Sequence, residues 1–183
     1  MLKIAQKLKK KNIAEYLIYM WQVEDMIRAY HLDLDAIKQQ LINPTSQSLE
    51  SQEDEIQWYE ELIDMMYAEG VKDKGHLQIN QNIIISLTDL HNQLISCTKY
   101  PFYNSAYYKA LPFIVELRAK NKDEEKTDIE ISFDALYGLM LLRLQKKDIT
   151  PETNTAVKAI ASFLSMLASY YAKDKAGELK FDE

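Results

Sequence analysis

The chain has 183 residues, a net charge of −6, a single cysteine, and only four glycines and four prolines. Average usage of roughly 7% glycine and 5% proline would supply about three times the glycine and twice the proline. The scarcity excludes the glycine-rich phosphate loops of dinucleotide and P-loop folds, which need residues at φ > 0; the charge argues against non-specific nucleic-acid binding; and a lone Cys97 excludes an intramolecular disulfide or a thiolate zinc cluster.

In chain order, residues 1–11 hold Lys3, Lys7, Lys9, Lys10 and Lys11 and no acid. They form a basic arm that either extends the first helix or frays. Asn12, with Glu15 three positions on, has capping-box spacing. The stripe Ile13, Leu17, Met20, Trp21, Ile27 then marks the first helix. Asp33 caps a short second helix that ends at Asn43-Pro44. After a polar stretch, Ile56, Tyr59, Ile63, Met66 and Tyr67 mark a third helix, stopped by Gly70. Residues 76–98 form a fourth on Ile83, Leu87, Leu90 and Leu94.

Tyr100-Pro101 punctuates the chain before a fifth helical segment, in which Pro112 predicts a kink or break near Ala110-Leu111. Residues 120–131 read as a charged loop, disordered in part, with Ile129–Ser132 extended. Ser132 caps a sixth helix, which is placed centrally because it is apolar nearly all round. Thr150-Pro151-Glu152 opens the seventh, which runs to about Lys173 and carries a row of small residues, Ala161, Ser165, Ala168 and Ala172. Residues 174–183 are a tail. The predicted fold is all-α: one domain over 1–183, a bundle of six or seven helices with no sheet. Only Gly138 and Pro112 sit inside helical patterns; the other glycines and prolines punctuate.

No catalytic or metal motif stands out. Glu-x-x-His and His-x-x-x-His are absent, and His31, His76 and His91 fall on separate segments. No cofactor is expected. Cys97, at a helix C-terminus, is a poor nucleophile. Glu24 and Arg28, four apart on the first helix, are read as a structural ion pair fixing helix register, or as anchors for a polar ligand. Tyrosines number twelve, and Tyr100, Tyr103, Tyr107 and Tyr108 cluster near Pro112. They are read as semi-buried packing residues or as an interface. Residues 45–71 carry eight acids and no base, a solvated face or a partner for a basic arm.

The stretches KNIAEYLIYMWQVEDMIRAYHLDLD and YPFYNSAYYKALPFIVELR resemble a family of all-α cytoplasmic proteins, mostly from Bacteroidetes, that is a domain of unknown function. The resemblance implies an all-α fold and a bacterial source, and assigns no functional residue. The expected function is a non-enzymatic helical interaction or scaffold protein, self-associating or binding an unknown protein partner. The alternative is a small-ligand-binding protein or an enzyme with a site between the first helix and segment 103–118. The candidate residues are Tyr19, Glu24, Arg28, Tyr103, Tyr107 and Tyr108. Nucleic acid is not the expected partner, since five lysines give only weak, salt-sensitive attraction. The lysine-then-apolar start is broken by Glu15 and lacks a cleavage site, and no run reaches about 18 apolar residues, so a cytoplasmic protein without a membrane span is expected.

Overall fold

The computed structural model describes residues 1–42, 49–121 and 124–181. Among them the chain forms eight helices and no strand: α1 (Leu2–Lys11), α2 (Ile13–Ala29), α3 (Leu34–Leu41), α4 (Leu49–Ala68), α5 (Gln78–Ser96), α6 (Pro101–Asn121), α7 (Asp128–Leu144) and α8 (Pro151–Lys175). The all-α class holds, and the count exceeds the expected six or seven because the basic arm is a helix of its own. Its lysines face outward while Ala5 is buried. Asn12 separates it from α2, its Oδ1 accepting from the Ala14 N–H at 3.0 Å.

Backbone contacts group the chain into two compact units, Met1–Lys11 with Glu15–Asn82, and Asn12–Ala14 with Ile83–Glu183. In the first, Leu17, Met20, Val23, Ile27, Ile37, Tyr59, Leu62 and Met66 are wholly or almost wholly buried. In the second, α6, α7 and α8 pack on one another around Tyr103, Ile114, Phe133, Ile160, Phe163 and Leu167.

Several helix ends follow their expected chemistry. Asp33 caps α3, accepting from Asp35 N–H at 2.9 Å and Ala36 N–H at 3.2 Å. Thr150 caps α8, with Pro151 in its first turn. Gly70 and Gly177 stand at φ +70, and the residue after each donates back to a carbonyl five positions earlier, closing α4 and α8. His31 at φ 55 and Lys146 at φ 54 close α2 and α7 the same way without glycine.

Other expectations are corrected. Ile129–Ser132 is helical, and α7 starts at Asp128 rather than after Ser132. Thr127 and Glu130 form the capping box: Glu130 N–H donates to Thr127 Oγ1 at 3.2 Å, and Thr127 N–H to Glu130 Oε2 at 2.8 Å. Ser132 lies inside the helix, its hydroxyl donating to the Asp128 carbonyl at 2.6 Å. No break falls at Ala110-Leu111, since α6 runs unbroken through Pro112. The second half of α7 is not central. Of Leu136–Leu144 only Leu139 is buried, and Leu144 is 70% exposed. The tail docks: Tyr100 OH donates to the Lys180 carbonyl at 3.0 Å, and its ring meets Phe181 edge-on. The expected stop at Asn43-Pro44, the following residues to 48, and 122–123 of the charged loop lie outside the described residues.

Candidate ligand-binding site

Glu24 and Arg28 are both engaged, but not with each other. The Glu24 carboxylate is fully buried. Its Oε2 meets His76 Nδ1 at 2.6 Å, and its Oε1 accepts from Leu77 N–H at 3.1 Å and Asn80 Nδ2 at 2.7 Å. Leu77 and Asn80 bracket the start of α5, so Glu24 places a negative charge where that helix presents unsatisfied donors and the positive end of its dipole. The His76 ring stacks on Trp21, with centroids 4.0 Å apart. Arg28 pairs with Asp25 at 2.8 Å and donates to the Val71 carbonyl at 3.0 Å, tying α2 to the turn before α5. Tyr19 donates to the Met1 carbonyl at 3.2 Å, and its phenol is pushed up to about 12 by burial and the nearby Glu55 carboxylate. The expected Glu24–Arg28 pair is therefore replaced by two separate sets of partners.

In the second unit, Tyr103 and Tyr107 are buried and Tyr108 is exposed. Tyr103 OH and His91 Nδ1 share a hydrogen bond of 2.6 Å. Tyr107 OH donates to Asp128 Oδ2 at 2.5 Å, and Arg118 pairs with the other oxygen of Asp128. Burial holds His91 down at about 4, against the smaller opposing pull of Asp128, and pushes both phenols upward. His91 also takes Tyr107 and Phe163 against its ring edge-on. These polar groups answer one another, so their chemistry is spent on packing.

An open volume lies elsewhere in this unit. A cavity of about 600 Å³ sits between the C-terminal half of α6, α7 and the first half of α8, within the usual range for small-ligand pockets. Its apolar lining includes Phe113, Leu117, Ile131, Leu139, Leu142, Val157 and Ile160; polar groups are supplied by Glu116, Lys120, Asn121, Asp134, Thr150, Glu152 and Thr153. Gly138 is part of this wall. A Cβ built there would meet nothing within 4 Å, so neither packing nor backbone conformation demands glycine. Yet glycine inside a helix costs about 1 kcal/mol against alanine.

A family model, described as Domain of unknown function (DUF4924), matches residues 2–178. The chain belongs to the DUF4924 family. No curated protein and no solved structure matches it. In this DUF4924 chain no helix among the described residues is long and apolar enough to cross a membrane. Nor, among those residues, do three or more His, Cys, Asp or Glu side chains gather where they could hold a metal ion. Sequence reasoning singled out Gly138 as an exception but looked for a site around the tyrosines. Nothing in the pattern alone marks the glycine as a cavity wall. His76 gave no signal, because its partner Glu24 lies 52 positions away.

Proposed function

We propose that this protein binds a small, largely apolar ligand in the cavity between α6, α7 and α8, and that it acts by binding rather than by catalysis. The observation that carries this reading is Gly138: a helix-interior glycine with free space over its Cα, in the wall of an apolar cavity. The half-exposed apolar second half of α7 supports the same reading, since a surface that water would otherwise cover gains from an apolar occupant. Titration with the neutral fluorophore Nile red tests it. One saturable site in the wild type, lost in Gly138→Leu with the fold intact by circular dichroism, is expected. Equal binding by both proteins would rule the cavity out.

A second reading, self-association, rests on Phe102. It is 80% exposed at the start of α6 and borders a hollow of about 440 Å³ that also involves Ser105, Ala106, Ala159 and Ser162 of α6 and α8. A knob and a hollow on one face suit a two-fold pairing of identical copies. Sedimentation should show a dimer that Phe102→Asp converts to a monomer; a wild-type monomer would remove this reading.

A further inference from the structure

We infer that two copies of this chain pair through α1 and α4, the lysine stripe of α1 on one copy lying against the acidic stripe of α4 on the other. This contact is independent of the cavity and of Phe102. On α1, Ala5 is buried, and Lys3, Lys7, Lys10 and Lys11 share the opposite, exposed face. Lys9 turns aside, its ammonium 5.5 Å from the centre of the Tyr16 ring. On α4, Tyr59, Leu62 and Met66 face the core, while Glu53, Asp54, Glu60, Glu61 and Asp64 are exposed on the other side. Each stripe has one sign throughout: α1 carries no acid, and residues 45–71 carry no base.

Neither stripe is answered within the chain. Although α1 packs on α4, none of these four lysines and five acids enters an ion pair among the described residues. Glu61 accepts only from Gln57, at 2.9 Å. Like charges along one helix face repel, and a second copy that supplies the opposite stripe relieves the repulsion on both helices. Pairing about a two-fold axis makes the contact twice, because each copy offers both stripes. At about 1.5 Å per residue, positions 3–11 extend about 12 Å and positions 53–64 about 17 Å, so one stripe covers the other. Ile4, 51% exposed beside the lysines, and Tyr67, 56% exposed at the end of the acidic stripe, add apolar contact. Nucleic acid or an anionic surface would answer the lysines alone, against a net charge of −6.

Sedimentation equilibrium of the full chain tests the pairing. The wild type should dimerise at about 0.01 M salt, where charges act over about 30 Å, and dissociate at about 1 M, where they act over about 3 Å. Its dissociation constant should rise at least about tenfold between the two, the product of eight weak exposed pairs. The apolar contact at Phe102 is read at the high salt concentration, and Phe102→Asp should leave the salt-dependent dimer in place. Reversing the lysines (Lys3→Glu, Lys7→Glu, Lys10→Glu, Lys11→Glu) should give a monomer at low salt, as should reversing the acids (Glu53→Lys, Glu60→Lys, Glu61→Lys, Asp64→Lys). Combining both sets keeps the net charge at −6 and should restore the dimer, which neither nucleic-acid binding nor a general charge effect predicts. A wild type that is monomeric at low salt overturns the inference. So does a dimer that salt leaves unchanged, or a combined variant that stays monomeric while circular dichroism shows it folded. If a reversed variant does not fold, the salt dependence of the wild type and of Phe102→Asp decides.

Discussion

Acidification should unsettle this protein through His91. The histidine is 4% exposed and is lowered from 6.5 to about 4, chiefly by burial. Its surroundings explain the direction. Tyr103, Tyr107 and Phe163 pack against the ring, and Asp128, the charge that opposes the shift among the described residues, is already taken by Tyr107 and Arg118. Well above pH 6.5 the imidazole is neutral in both folded and unfolded chains and stability does not depend on it. As the pH falls from 6.5 toward 4, the unfolded chain takes up a proton that the folded chain refuses, so stability is lost across that window and the loss levels off below it. The gap between 6.5 and about 4 corresponds to roughly 3 kcal/mol between the two protonation states. The assay is urea unfolding followed by far-ultraviolet circular dichroism from pH 7.5 to 3.5, on the wild type and on His91→Gln. The glutamine can still hydrogen-bond Tyr103, and carboxylates common to both proteins cancel in the difference. The wild-type advantage should shrink by roughly 3 kcal/mol between pH 7 and pH 4. A difference that stays constant with pH would refute the burial argument.

Two stability predictions follow from the helix ends. Glu24→Ala strips the buried partner from His76, Leu77 N–H and Asn80 together and should cost about 3 kcal/mol or more; a urea-measured loss below about 1 kcal/mol would mean water replaces the carboxylate. Thr127→Ala removes the hydroxyl half of the α7 capping box and should cost about 1 kcal/mol, whereas Ser132→Ala, inside the helix, should change stability by less. Thermal melts of both variants check the order.

How much of this was readable beforehand depends on how local the physics is. Asp33, Gly70 and Thr150-Pro151 act on their own helix ends within a few residues, and each works as its neighbours suggest. Thr127-x-x-Glu130 is equally local, but it adjoins a charged run and competes with Ser132, a residue that caps well in isolation. His31 and Lys146 end helices in the left-handed conformation that glycine usually supplies. That substitution is invisible to a search for glycine. Glu24 is the clearest non-local case. Helical spacing offers Arg28 as its partner, but tertiary packing brings the N-terminus of α5 to it, and buried donors outweigh a surface pair. The tyrosines near Pro112 look like a binding face by composition; Tyr103 and Tyr107 find His91 and Asp128 instead. The cavity is lined by residues from three helices that are distant in the chain, and of these only Gly138, a glycine inside a helical pattern, stands out in the sequence.

The most direct test of ligand binding in that cavity is the stability of Gly138→Ala against the wild type, with and without saturating octan-1-ol. Without ligand, the added methyl meets nothing and improves helix propensity, so the variant should be more stable by about 0.5–1 kcal/mol. With ligand, the methyl occupies space the ligand needs. A fivefold loss of affinity at saturation would cancel about 1 kcal/mol, erasing or reversing the advantage. An advantage that octan-1-ol leaves untouched would contradict ligand binding at Gly138.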